Sequence, residues 1–379
     1  MRIAIIADVL GEENNGTTIT VKRLIDHLKE RGHQVKVVSP SKSTKPGYYS
    51  VDKIDFKIFN KYVAKNGVEL AKPNEKILRE VISDSDVVHI LMPFAMGCAA
   101  ARICRELSVP FTTAFHVQPE NVSCHFGLQK SKTINKFIYK KFYKYFYRYA
   151  EYIHCPTRFI ADKLIQNGYT ADLRVISNGV DPAFTTGKSE KPEKYRDKFC
   201  ILTTGRLTKE KRQKDLIRAV SKSKYSDKIQ IIIAGLGPLE KKLRKLGEKL
   251  KNQPDISFHT KEDLVNIIHY CDLYVHPSYA EIESIACVEA ITCGLVPVIS
   301  NSRMSAARFF ALSDKNLYKA SSPSALAQRI DFMIEHPEFR DEISKKYIEY
   351  AEKFQIEKCI DKMEEMFNDA LAHRHPSKN

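Results

Sequence analysis

Glu281 and Glu289 stand eight residues apart in Glu281-Ile-Glu-Ser-Ile-Ala-Cys-Val-Glu289, after the apolar run Leu273–His276. The periodicity predicts a helix over 284–293. Its open N-terminus, at the backbone of Ser284 and Ile285, offers unpaired N–H groups to a phosphate. Glu289 falls on an otherwise apolar face with Ile285, Val288 and Ile291, where a buried carboxylate needs hydroxyl groups such as those of a ribose. Glu281, in the preceding loop, could accept from sugar hydroxyls. The alternative is that both are surface acids steadied by the helix dipole. A second constellation, Thr204-Gly-Arg-Leu-Thr-Lys-Glu-Lys211, follows another apolar run. Arg206, with its bidentate fork, and Lys211, a point charge, suit a diphosphate clamp, or the stretch is a solvated charge run. Gly235 and Gly237 allow a backbone to approach a ligand closely, although a tight turn explains them equally well. His116 ends Thr112-Thr-Ala-Phe-His116, either facing a ligand or as a satisfied structural histidine.

These residues need elements to hold them. Ile3–Ala7, Gln34–Val38, Val87–Leu91, Phe111–Ala114, Tyr152–Cys155 and Arg174–Ile176 read as short strands between helical stretches. Val21, Leu24, Ile25 and Leu28 recur at helical spacing, with Gly32 as a C-cap. Residues 183–198 are polar with almost no apolar anchor and read as a linker. The alternation then restarts with Cys200–Thr203, Gln230–Ala234, Leu273–His276 and Val296–Ser300, and the chain is helical from Pro323. The expectation is α/β, with two doubly wound parallel-sheet domains: 1–182, the linker 183–198, and 199–354. A C-terminal helix near 355–372 packs back on the first domain. Such sheets bind ligands at the carboxyl ends of their strands, so two facing domains would enclose a cleft.

The 379 residues suffice for two cores. Lys and Arg number 61 against 46 acids, and the net charge of +15 favours an anionic partner. No dinucleotide fingerprint and no Walker sequence occurs. Nine scattered cysteines without a Cys-x-x-Cys pair suggest small buried hydrophobes in a reducing cytosol rather than a metal site or a disulfide framework. The apolar start is too soon broken by Asp8 for a signal peptide, and no run nears ~18 apolar residues.

Taken together, Gly205-Arg206…Lys211, Gly235-Leu-Gly237-Pro238, Glu281-x7-Glu289-Ala290 and Gly294-Leu-Val-Pro297, with Asn178-Gly-Val-Asp181 before the linker, resemble the family-4 glycosyltransferases. The resemblance spans nearly the whole chain. It implies the GT-B fold, with two Rossmann-like domains across a cleft, and a retaining, metal-independent hexosyl transfer from a nucleotide-diphosphate sugar. In that reading Arg206 and Lys211 take the diphosphate with Ser284 and Ile285, Glu289 takes the ribose and Glu281 the sugar hydroxyls. Gly16, Gly205, Gly235 and Gly237 border the donor, and His116 faces the transferred sugar and acceptor. The catalytic set is then His116, Arg206, Lys211 and Glu281, with no cofactor and no metal. The chain departs from the family pattern at Ile282-Glu283, where Gly-Phe is usual, and at Asn15-Gly16 in place of a double glycine. The first departure, with Phe115-His-Val-Gln-Pro119, resembles bacterial enzymes that glucosylate diacylglycerol, which implies UDP-glucose as donor with GDP-mannose behind it.

Between Glu120 and Glu151 there is no acid. Lys136, Lys140, Lys144 and Arg148 form a basic row, with Lys141 beside it and aromatic residues interleaved. That composition suits an interfacial helix on anionic lipid, or a core helix with solvated lysines; no nucleic-acid module is recognisable. The expected partners are therefore a nucleotide-sugar donor, a lipid acceptor and the inner face of the cell membrane. The competing readings are transfer to a cell-wall, capsule or soluble acceptor, and a non-catalytic polyanion-binding protein on the same scaffold.

Overall fold

The computed structural model describes residues 1–8, 10, 16–55, 70–124, 128 and 131–373, with backbone alone at 16, 17, 121, 122 and 124. The chain divides into two compact units, residues 1–178 with 357–379, and residues 179–356. Each is built on an all-parallel sheet.

In the first unit the strands are β1 (Arg2–Ile6), β2 (Gln34–Ser39), β3 (Tyr48–Ser50), β4 (Val87–Ile90), β5 (Phe111–Ala114), β6 (Tyr152–Cys155) and β7 (Asp172–Val175). Their order is β3-β2-β1-β4-β5-β6-β7, so the winding reverses between β1 and β4. The strands β1, β4, β5 and β6 are buried along almost their whole length, as strands covered on both faces must be. Helices α1 (Gly16–Glu30), α2 (Glu75–Ser83), α3 (Ala95–Glu106), α4 (Pro119–Cys124), α5 (Lys132–Tyr145) and α6 (Arg158–Gln166) connect them.

The second unit carries β8 (Phe199–Thr204), β9 (Ile229–Ala234), β10 (Asp255–Ser257), β11 (Leu273–His276), β13 (Pro297–Ser300) and β15 (Leu317–Tyr318), in the order β10-β9-β8-β11-β13-β15. A separate two-stranded ribbon pairs β12 (Ala280–Glu281) with β14 (Met304–Ser305). Helices α7 (Gln213–Val220), α8 (Glu240–Gly247), α9 (Lys261–Tyr270), α10 (Ile285–Thr292), α11 (Pro323–Glu335) and α12 (Pro337–Ala351) belong to this unit, and the last helix, α13 (Ile356–Ala372), leads out of it. The winding reverses between β8 and β11, which places the ligand-binding edge beyond their carboxyl ends.

The polar stretch 183–198, expected as a linker, is part of the second unit. Phe184 and Tyr195 are buried in its core and Tyr195 donates to Asp255 at 2.7 Å, so two aromatic anchors suffice in a stretch whose composition is almost wholly polar. The chain leaves the first unit after Asn178 and returns at Glu357. Within the second unit these two points are neighbours: Val180 bridges Gln355, and the Val180 N–H donates to Phe354 O at 2.8 Å. Gly179 is required there, because it holds φ +74° and a Cβ would lie 2.5 Å from the Ile356 side chain. On the first unit, α13 buries Cys359, Ile360, Met363, Met366 and Phe367. Arg31 pairs with Asp361 and Glu364 at 2.6 and 2.7 Å, and Arg174 with Asp369 at 2.7 Å.

Candidate active site

The second unit's switch point gathers the strongest sequence signals. Lys211 lies beyond β8, Glu281 beyond β11, and the two form an ion pair at 2.6 Å. The ribbon with β14 fixes the backbone of Glu281, whose side chain is 11% exposed. Burial alone would push this carboxyl up. The Lys211 ammonium and the imidazole of His276, 3.3 Å from the same Oε1, outweigh burial and hold it well below the usual carboxylate range. The lysine stem folds over Gly205, where a Cβ would meet its carbons at 3.6 Å.

Next to this pair, α10 begins at Ile285, one residue later than the periodicity suggested. Ser284 precedes it in the left-handed conformation, φ +81°, and gives the helix no side-chain cap. The first turn holds no acid and no side-chain cap from Ser284, whose carbonyl already accepts from Cys287 at 3.0 Å, and the positive end of the helix dipole favours an anion there. Arg206, 40% exposed, stands 3.8 Å from Glu210, and its carbonyl accepts from Gln213 at 2.9 Å. Glu289 is half-buried on α10, not enclosed as the apolar pattern suggested, while Glu283 is buried.

Gly235 and Gly237 prove to be required by packing between loops. A Cβ on Gly235 would stand 2.1 Å from Gly205 O, and one on Gly237 2.6 Å from Leu207 N. The two loops are laced together by Gly205 N–H to Ala234 O at 2.9 Å and Leu207 N–H to Leu236 O at 2.8 Å. These glycines therefore shape the floor on which Arg206 and Lys211 are carried.

In the first unit His116 follows β5, half-buried, with its ring edge-on to His154 at 5.5 Å. Burial, with His154 beside it, pushes its basicity down to about 3, so it is neutral at pH 7. His154 is itself fixed by a 2.7 Å bond to Ile176 O. At the first unit's switch point Asp8 is fully buried after β1. Burial lifts its carboxyl to about 7, partly offset by the N–H groups of Met96 and Gly97 in the first turn of α3. Gly16 opens α1, and the loop before it, 11–15, lies outside the described residues.

The basic aromatic segment forms α5, followed by a 3₁₀ turn at Tyr147–Tyr149 that carries Arg148. Lys136, Lys140, Lys141, Lys144 and Arg148 are all exposed, as are Phe137 at 59% and Tyr145 at 54%. Lys141 lies over both rings, 5.3 and 5.2 Å from their centres. Of the apolar row that recurs at the same spacing, Ile134, Ile138 and Phe142 are half-buried and Phe146 is buried. The inward face is instead led by Asn135 and Tyr139, held by Ser123 at 2.7 Å and by Glu120 at 3.2 Å, with Glu120 also paired to Lys163 at 2.5 Å. Lys130 lies outside the described residues. Among the described residues no helix is long and apolar enough to cross a membrane.

Sequence reasoning passed over Asp8 and His276. Both are polar residues closing an apolar strand at a switch point, and that position was the available signal.

Residues 14–184 match the family model Glycosyltransferase Family 4, and residues 185–354 match Glycosyl transferases group 1. An alpha-monoglucosyldiacylglycerol synthase of Streptococcus pneumoniae is 23% identical over 329 residues, 79% of this chain and 71% of that protein. A GDP-mannose-dependent alpha-mannosyltransferase of Corynebacterium glutamicum is 28% identical over 319 residues, 79% of this chain and 72% of that protein. The solved structure of Anabaena HepE in complex with UDP and glucose superposes with a TM-score of 0.76 at 16% identity, covering 97% of this chain and all of that one, a likeness of fold. With two parallel doubly wound sheets and both family models matched in order, the chain belongs to the family-4 glycosyltransferases of GT-B fold.

Proposed function

We propose that the chain is a retaining, metal-independent hexosyltransferase that moves glucose from UDP-glucose to the hydroxyl of a membrane lipid such as diacylglycerol. The observation that carries the donor site is the Lys211–Glu281 pair set beside the uncapped N-terminus of α10. Lys211, Arg206 and the N–H groups at Ser284 and Ile285 hold the diphosphate; Glu281 accepts from sugar hydroxyls and Glu289 from the ribose. The bond from the sugar's anomeric carbon to the β-phosphate oxygen breaks through an oxocarbenium-like state. Charge grows on the departing diphosphate, and fixed cations and amides placed there lower the barrier. The acceptor oxygen bonds to the same carbon on the same face, and its proton passes to the departing phosphate. A neutral His116 lines the acceptor side in the first unit.

The lipid assignment rests on α5. Its exposed lysines and aromatic side chains suit an anionic bilayer surface, where each basic residue contributes ~1 kcal/mol. In this reading the enzyme works peripherally at the cytoplasmic face. The relatives named for glucosyl and mannosyl transfer keep the sugar open to a direct trial. Purified protein is incubated with labelled UDP-glucose or GDP-mannose and with diacylglycerol, a sterol, a soluble sugar or no acceptor. Transfer of glucose to an extractable lipid supports the proposal. Mannose transfer changes the donor, transfer only to the soluble sugar removes the lipid, and no turnover of either donor leaves a polyanion-binding scaffold.

A further inference from the structure

His276 closes β11, is wholly buried, and reaches two parts of the proposed donor site. Its Nε2 stands 3.3 Å from Glu281 Oε1 and 3.0 Å from Ser284 Oγ, while Nδ1 lies 3.3 Å from the hydroxyl of Tyr274. Tyr274 is two residues back on the same face of the strand. One neutral tautomer satisfies all three neighbours. A proton on Nε2 is shared between the Glu281 carboxylate and the Ser284 oxygen, and Nδ1 accepts from Tyr274. Burial lowers the imidazole's basicity, with Glu281 partly offsetting it, in keeping with the neutral form.

Ser284 gives the contact its meaning. A serine before a helix ordinarily turns its hydroxyl onto the N–H groups of the first turn. Here the backbone is left-handed, φ +81°, and the hydroxyl is turned to His276, so α10 has no side-chain cap. The imidazole thus draws the Ser284 hydroxyl away from those N–H groups. With the same Nε2 it restrains the carboxylate already held by Lys211.

We propose that His276 is a positioning residue that ties sugar recognition to diphosphate recognition, setting Glu281 for the sugar hydroxyls and holding the Ser284 turn open for phosphate. The proposal rests on the donor site described under the proposed function. It makes the effect of His276 separable, because UDP reads the turn and the diphosphate cations, whereas UDP-glucose adds the hold of Glu281 on the sugar.

The experiment uses the full chain with His276→Leu, His276→Gln, Ser284→Gly and the double variant His276→Leu/Ser284→Gly. Dissociation constants for UDP and UDP-glucose are measured, together with KM and kcat for donor turnover. The loss of a charge-assisted hydrogen bond predicts that His276→Leu weakens UDP-glucose by roughly 10- to 100-fold. UDP should weaken less. The glutamine variant, whose amide still donates, should recover at least half of that loss on a logarithmic scale. On the Ser284→Gly background, where the turn needs no hydroxyl, His276→Leu should still weaken UDP-glucose while leaving UDP within about threefold. Should the leucine variant not fold, His276→Asn, an amide too short to reach Glu281, replaces it in every comparison. Wild-type affinity in the leucine variant, glutamine no better than leucine, or complete erasure of the effect by Ser284→Gly would each overturn the positioning role. A wild-type chain that binds neither UDP nor GDP overturns the donor site itself, and this proposal with it.

Discussion

Lys211 neutralises the buried Glu281 carboxylate, and under the proposed function it also stabilises charge on the departing diphosphate, so its removal should register twice. Lys211→Ala is expected to lower turnover by 10²- to 10³-fold, as for other fixed oxyanion donors. It also leaves a largely buried carboxylate without its cation, at a cost of about 3 kcal/mol. Adding Glu281→Gln should restore much of the stability and none of the turnover; near-normal turnover in Lys211→Ala would remove the site. Asp8 gives a pH-dependent test in the other unit. Its folded carboxyl titrates at about 7 against an ordinary value of 3.8. Between those values the unfolded chain is ionised there and the folded chain is not, so this group's contribution to stability falls as pH rises from about 4 to about 7. Asp8→Asn should match the wild type near pH 4 and exceed it above pH 7 by up to about 4 kcal/mol, read from denaturant unfolding across that range. A constant difference between the two proteins would contradict the buried neutral acid. Lys211 and Glu281 were legible in the sequence because they sit at fixed distances from apolar strands. The joint role of Gly235 and Gly237 was not, because it depends on the neighbouring loop at Gly205 and Leu207, some thirty positions earlier in the chain.

Helix α5 shows how an element can be read from spacing and still be misjudged on its inner side. The basic row is exposed as its four-residue recurrence implied. The inward face, however, is anchored by Asn135 and the hydroxyl of Tyr139 on Ser123 and Glu120, partners that come from a different helix. Edge strands were missed for a related reason. In β3 (Tyr-Tyr-Ser) and β10 (Asp-Ile-Ser) three residues at the rim of a parallel sheet carry too little apolar pattern to announce a strand. Because the α5 lysines touch solvent and not the core, changing Lys140, Lys141 and Lys144 together to Glu should leave the thermal midpoint unchanged. It should weaken sedimentation with vesicles of 30% anionic lipid by at least tenfold, and added salt should weaken the wild type in the same direction. Binding unaffected by both changes would separate α5 from any membrane role.

At the scale of the molecule, the two-sheet plan was legible because each strand buried on both faces reads as a short apolar run, and the alternation visibly stops and restarts. The place where one unit ends was harder to see. The polar composition of 183–198 concealed Phe184 and Tyr195, which belong to the second core. Residues 179–356 hold a complete parallel sheet and the residues proposed to grip the diphosphate, ribose and sugar, although not Gly16. Produced alone, this stretch should melt cooperatively and shift upward with UDP, by ~2.7 kcal/mol at a hundred times its dissociation constant. A chain without a cooperative transition would show that this unit depends on the other. The pairing of Val180 with Gln355 bears directly on that trial. Since entry and exit share one bonded rung, the segment is topologically a cassette: it can be lifted out, or grafted into a surface turn of an unrelated host, without a spacer to bring its ends together.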